Sequence, residues 1–269
     1  MNNKRKLLIA ILFFIFVLPL ASILFQRYSS NSGDKKPVSG EVITDNNENE
    51  VELDISLEGY PNDQVPLHKL TSISSMKFFV NDDPVSFGGY FGVPVNYYNV
   101  VFGTEAGQEE YIAYYKSLMG EVNEDGLSSS QVEGKIGKYK VSASYYESSS
   151  QSNAYLQVYL PAEEYQEENR YYSEYPQIVK IDEDWTEQES SYGHLNQNGG
   201  EIEYTQYFTA KEDVGEYVDT YEDLYQDKAK FTYDEATGSM RWNDGDYSVV
   251  LTFSEDHGRV YLMIRKPLN

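Results

Sequence analysis

Tyr217-Val-Asp-Thr-Tyr-Glu-Asp-Leu-Tyr225 is the stretch whose reading decides the fold. Its apolar members, Tyr217, Val218, Tyr221, Leu224 and Tyr225, recur at one-turn and two-turn intervals. That spacing gathers them on one stripe of a helix and leaves Asp219, Glu222 and Asp223 on the other side. The same phrase stands earlier as Tyr111-Ile-Ala-Tyr-Tyr-Lys-Ser-Leu-Met119, displaced by 106 positions. Working outward, Tyr98 and Phe102 are echoed by Tyr204 and Phe208. Further on, Tyr139 and Val141 match Tyr247 and Val249, and Tyr155, Leu156 and Val158 match Tyr261, Leu262 and Ile264. Upstream, Tyr60-Pro61 matches Tyr175-Pro176. Order and spacing agree over five segments, with small drifts of the kind loop insertions produce. The chain reads as one short fold written twice.

The flanking patterns supply the other elements of each copy. Residues 76–80 and 97–102 read as strands, 108–122 as the first helix, and 132–145 as an alternating, half-buried strand followed by another at 155–160. In the second copy, 190–200 reads as a loop, 201–208 as a strand and 211–228 as the helix. Strands follow at 231–233, 239–242, 247–253 and 260–265. The expected fold class is α+β: two related β-α-β-β(-β) domains, each an antiparallel sheet packed on one helix. The first spans 55–161, the second 175–269, and 162–174 links them.

The N-terminal part reads differently. Lys4, Arg5 and Lys6 precede an uncharged run at 7–25, nineteen residues long. At about 1.5 Å per residue that run matches a bilayer core of about 30 Å. The expectation is a transmembrane anchor at 7–25 with a cytoplasmic tail at 1–6, and a disordered, polar stalk at 28–54. A cleaved signal peptide is the competing reading. On the first, the folded part is extracytoplasmic and the membrane is a partner through 7–25.

Charge narrows the partners. The chain has 44 acidic against 21 basic residues, a net charge of −23. So negative a field argues against nucleic acid, which needs clustered Lys and Arg. There is no cysteine, which removes disulfides, thiolate metal sites and thiol nucleophiles.

No catalytic motif stands out. His68, His194 and His257 are scattered, and there is no His-Glu-x-x-His, Gly-x-Ser-x-Gly or phosphate loop. Asp244, Asp246, Glu255 and Asp256 lie in two turn-like stretches and are the candidates for a Ca²⁺ site, although turns attract Asp for local hydrogen-bonding reasons. No cofactor is expected. The glycine- and aromatic-rich stretch 87–94 has the composition of a ligand-contacting loop or of tight turns against a core. Tyrosine is abundant, with 26 residues, and offers rigid contact area with a polar tip. Tyr97, Tyr146, Tyr171, Tyr172 and Tyr192 fall outside the core patterns and are the candidate surface contacts.

Tyr60-Pro61, Val65-Pro66-Leu67, Tyr115 and Leu118, with Tyr175-Pro176, Tyr221 and Leu224 in the second copy, resemble small bacterial envelope domains of uncharacterised function. These are carried on lipoproteins or single-pass anchors; the second copy lacks the Val-Pro-Leu. The resemblance implies no catalytic residues. The leading expectation is a non-enzymatic binding or envelope-assembly module whose partner is another envelope protein or cell-wall glycan. The alternatives are a cell-wall polymer hydrolase with paired carboxylates between the repeats, and a spacer or accessory subunit of a membrane complex.

Overall fold

The computed structural model describes residues 57–81, 94–123, 127–147, 152–196, 200–211, 214–254 and 258–268. In chain order the first copy contains β1 (Leu70–Asn81), β2 (Val95–Thr104), α1 (Gln108–Leu118), β3 (Glu121–Asn123), β4 (Gln131–Ile136), β5 (Tyr139–Glu147) and β6 (Ser152–Tyr159). Two short 3₁₀ turns, Ala162–Glu164 and Tyr172–Glu174, punctuate the linker. The second copy contains β7 (Trp185–Leu195), β8 (Glu201–Ala210), α2 (Gly215–Tyr225), β9 (Ala229–Asp234), β10 (Ser239–Asp244), β11 (Tyr247–Ser254) and β12 (Arg259–Pro267).

All twelve strands form one sheet in the order β3-β4-β5-β6-β2-β1-β7-β8-β12-β11-β10-β9. Each half repeats the same path outward from the centre: β1-β2-β6-β5-β4-β3 on one side and β7-β8-β12-β11-β10-β9 on the other. The halves meet where β1 pairs antiparallel with β7, from Ser75↔Leu195 to Asn81↔Glu189. Phe78 faces Tyr192 in that ladder, while Phe78 pairs with Tyr98 and Tyr192 with Tyr204. Phe78 and Tyr192 are therefore equivalent residues, and a local twofold passes between them.

These ladders correct the expected fold class. The molecule is not two α+β domains but a mostly antiparallel β protein, with the two helices as minor elements on a shared sheet. The strand that joins the halves, β7, runs through the stretch that reads as a loop at 190–200. Its run of Glu189, Ser190 and Ser191 lacks the apolar alternation of a strand, yet all three are buried. Pairing on both sides, with β1 and β8, satisfies its backbone and overrides its weak propensity. The long strand expected at 132–145 is a hairpin, turned at Gly137 with φ +58°. α1 stops at Leu118 rather than 122, because β3 leaves its end to pair with β4.

The helix face of the sheet holds the core. Tyr98, Val100 and Phe102 of β2, Leu156 and Val158 of β6, and Val141 and Ala143 of β5 lie beneath α1. Tyr204, Phe208, Leu262, Ile264, Val249 and Leu251 lie beneath α2. Each helix presents tyrosines at four-residue spacing: Tyr111 and Tyr115 in α1, then Tyr217, Tyr221 and Tyr225 in α2. Leu118 and Leu224, expected on the buried stripe, are 37% and 49% exposed. The Tyr115 hydroxyl donates to the Pro66 carbonyl at 2.7 Å, and the Tyr221 hydroxyl to the Lys180 carbonyl at 2.8 Å. Each bond ties its helix to the segment that leads into its copy. The duplication is thus visible in side-chain contacts as well as in strand order.

Among the described residues no helix is long and apolar enough to cross a membrane, so none of them bears out the expected transmembrane helix. Residues 7–25, the tail 1–6 and the stalk at 28–54 lie outside the described residues, as does most of the 87–94 loop.

Candidate functional site

The segment leading into the second copy runs across the helix face as Tyr175-Pro176-Gln177-Ile178-Val179-Lys180-Ile181 and leaves an open cleft against β8 and β12. Leu262 and Ile264 form its floor, Val179, Ile181 and Pro176 one wall, and Tyr172, Tyr175 and Tyr204 the rest; the cleft is shallow and encloses about 20 Å³, room for about one water. Tyr175 meets Tyr204 edge-on at 5.3 Å, and Tyr172 lies 5.7 Å from Tyr175. Gln206 closes one end, donating from its amide to Glu187 at 2.6 Å. Proline at 176 holds the segment extended so that it bridges rather than coils. Burial pushes the Tyr204 phenol well up, and the Tyr192 and Tyr247 phenols and the Glu174 carboxylate add to it.

The five tyrosines proposed as contacts divide. Tyr172 is 46% exposed at the cleft, and Tyr146 is 59% exposed at the end of β5. Tyr97 is buried on the opposite face, stacked on Phe79 at 4.7 Å and beside Tyr159 at 5.1 Å. Tyr192 is buried under Tyr171, which stacks on it at 4.5 Å and donates to the Glu58 carbonyl. Of the residues that line the cleft, Tyr172 alone was among the candidate contacts. Tyr204, Leu262 and Ile264 read as core strands, and only the Tyr-Pro pair marked the segment above them.

Of the acidic turn residues, Asp244 pairs with Lys228 at 2.7 Å, and Asp246 sits in the β10–β11 turn. Glu255, Asp256 and His257 lie outside the described residues. Among the described residues no three or more His, Asp or Glu side chains come together as a metal site.

The opposite face carries two buried carboxylates near the seam of the halves. Glu189 on β7 accepts from the Asn81 amide at 2.9 Å. Burial pushes its carboxyl up to about 8, against the opposing effects of Asn81 and Lys77. Glu203 on β8 is engaged by Lys77 and by Arg265, the latter at 2.6 Å. Burial raises it too, but those two cations outweigh burial and hold it below the usual carboxylate range.

Comparison with protein-family models, with curated proteins and with solved structures finds no match. Among the described residues the chain is an internally duplicated antiparallel sheet, with a shallow cleft under the Tyr175–Ile181 segment.

Proposed function

We propose that the chain is a binding module without catalytic activity, and that it takes up its partner in the cleft of the second copy. The observation that carries this reading is the Tyr-lined, aliphatic-floored cleft under the Tyr175–Ile181 segment. A few convergent polar groups over an apolar floor suit recognition. Rigid aromatic rings give contact area at low entropic cost. The spacer reading has no use for such a cleft.

One observation favours the hydrolase reading: Glu189 has the high proton affinity of a general acid and lies near the junction of the repeats. Its would-be partner is poorly placed. Glu203 stands one strand across and four residues along, about 14 Å away at Cα by strand geometry, and it is held by Lys77 and Arg265. Inverting glycosidases hold their two carboxyls about 6.5–9.5 Å apart and retaining ones about 5–5.5 Å.

The test is site-specific photocrosslinking in the native host. A photoreactive phenylalanine analogue replaces Tyr172 in one variant and Tyr146, the other exposed tyrosine, in a second. A discrete adduct at 172 and none at 146 is expected. Equal labelling at both, or none at 172, defeats the reading.

A further inference from the structure

The halves of the sheet are joined by one ladder, the seven rungs from Ser75↔Leu195 to Asn81↔Glu189. On their other sides β1 pairs with β2 and β7 with β8, so each strand is also held by its own copy. The ring contacts on the helix face follow the same division: Phe78 packs on Tyr98 at 5.1 Å and Tyr192 on Tyr204 at 5.4 Å. Above them the linker crosses the seam, with the Arg170 guanidinium 4.3 Å from the Phe78 ring and Tyr171 stacked on Tyr192. On the opposite face Lys77 reaches across to Glu203, and Asn81 donates to Glu189 on the last rung.

Glu189 is 3% exposed and its neighbours are neutral. Asn81 of β1 and Tyr207 of β8 stand directly across from it, Tyr261 of β12 is next in the same row, and the Tyr97 phenol of β2 feels its charge. The charged groups of that face are Lys77 of β1, Glu203 of β8, and Arg259 and Arg265 of β12. Lys77 and Arg265 are both engaged by Glu203, and Arg259 acts on the Tyr207 phenol. Glu187, on the same strand, turns to the helix face and accepts from Gln206. An ionised Glu189 is therefore a buried charge faced by an amide and phenols, with the nearest cations committed elsewhere. Such a charge is costly in the closed seam and well solvated once the seam parts.

We propose that the β1–β7 seam is a pH-operated joint: protonated Glu189 keeps it closed, and ionisation of Glu189 releases β1 from β7 while each half keeps its own core. This stands apart from the binding reading above. Burial pushes the Glu189 carboxyl up to about 8 in the closed seam, and Asn81 and Lys77 offset only part of that rise. Once released and hydrated, the group returns to its ordinary value of 4.5. The proton thus favours the closed seam fully below pH 4.5, and that preference is lost as pH climbs through 8. Between those limits the opening equilibrium grows by up to about tenfold per pH unit. The other contacts across the seam do not titrate in this window. Lys77 and Arg265 hold Glu203 ionised throughout, burial keeps the Tyr171 phenol above its ordinary range, and Arg170 stays charged.

The experiment is amide hydrogen exchange of the isotope-labelled full-length chain at pH 6, 7 and 8, read residue by residue by NMR and corrected for the intrinsic pH dependence of exchange. Amides bonded across the seam, in 75–81 and 189–195, are expected to lose protection by up to about tenfold per pH unit. Amides of α1 and of the β10–β11 hairpin should hold theirs. Glu189→Gln, which keeps the size of the side chain and removes its proton equilibrium, should flatten the response at the seam. Three results overturn the proposal: seam protection that does not change with pH, an equal fall in the Glu189→Gln variant, or an equal fall in α1 and the hairpin, which would mark unfolding of the whole. If Glu189→Gln does not fold, the contrast between seam and hairpin in the unaltered chain decides alone.

Discussion

The two copies share their strand order and the tyrosine contacts of their helices and differ in the side chains that fill the ends of the helix face and the whole of the other. Under α1, Val65, Tyr98, Leu156 and Val158 are wholly buried; their counterparts Val179, Tyr204, Leu262 and Ile264 keep 3–7% exposure and line the cleft. Under the far ends of the helices the exchange is larger. Gly134 and Met119 of the first copy correspond to Trp242 and Tyr225 of the second. A Cβ at Gly134 would overlap the Glu121 carbonyl and the Met119 sulfur, so β3 can cross close by. In the second copy Trp242 stacks on Tyr225 at 4.4 Å, and the β9–β10 ladder shifts register between Arg241 and Asn243 to pass it. On the opposite face, the aromatic row Phe79–Tyr97–Tyr159 corresponds to Gly193, Glu203 and Arg265. Gly193 lacks a side chain that would collide with Lys77, and Lys77 crosses the seam there to reach Glu203. Contacts that hold a helix to its sheet are shared by both copies, while the residues at the seam and beneath the far ends of the helices have diverged.

The sharpest way to break this comparison is at Gly134 and Trp242. Trp242→Ala empties the space that glycine never filled and should cost about 3–5 kcal/mol, measured by denaturant unfolding. A loss under about 1 kcal/mol would mean the second copy does not depend on its larger pair. The seam comes next. The folded-state carboxyl of Glu189 lies at about 8, above its ordinary value of 4.5. Its favourable contribution is therefore complete below pH 4.5 and lost as pH climbs through 8. Stability should fall by up to about 1.4 kcal/mol per pH unit across that window from this group alone, and Glu189→Gln should flatten the slope. Glu203 runs the other way, lowered in the folded state, so its contribution is lost on acidification.

Smaller effects sharpen the likeness. Gly134→Ala should cost about 1–3 kcal/mol through overpacking. Tyr221→Phe should cost about 1 kcal/mol, because it removes one hydroxyl bond to a lead-in carbonyl. Tyr115→Phe should cost at least as much, because that hydroxyl donates to the Pro66 carbonyl and also accepts from the His68 N–H; a smaller loss than for Tyr221→Phe would show that the copies use the bond unequally. Smallest of all, Tyr172→Leu restores the residue type of Leu57. It should move stability by less than about 0.5 kcal/mol, because Tyr172 is 46% exposed.

Several features were readable from the residues alone. The tyrosine spacing gave both helices, and the matched Tyr-Pro pairs marked where each copy begins. Hairpin composition placed the β10–β11 turn, where Gly245 takes φ +60°. β7 was not readable, because a strand with neighbours on both sides can bury Glu189 and Ser191 through hydrogen bonds that its own pattern does not announce. Asn81 of β1 pairs with Glu189 and Thr205 of β8 with Ser191. The cleft was not readable either. Its floor residues have the same alternation as their sealed counterparts, and what separates them is the path of the segment above.

The sequence by itself determined that a short unit occurs twice, each with a tyrosine-bearing helix on a sheet, since periodicity and repeated order are local properties of the chain. Only the tertiary structure decided that the units share one sheet through β1 and β7, and that one copy is closed while the other is open. Both outcomes depend on which distant backbone finds an unpaired edge and which side chain arrives over a ring, and neither is encoded in any single stretch.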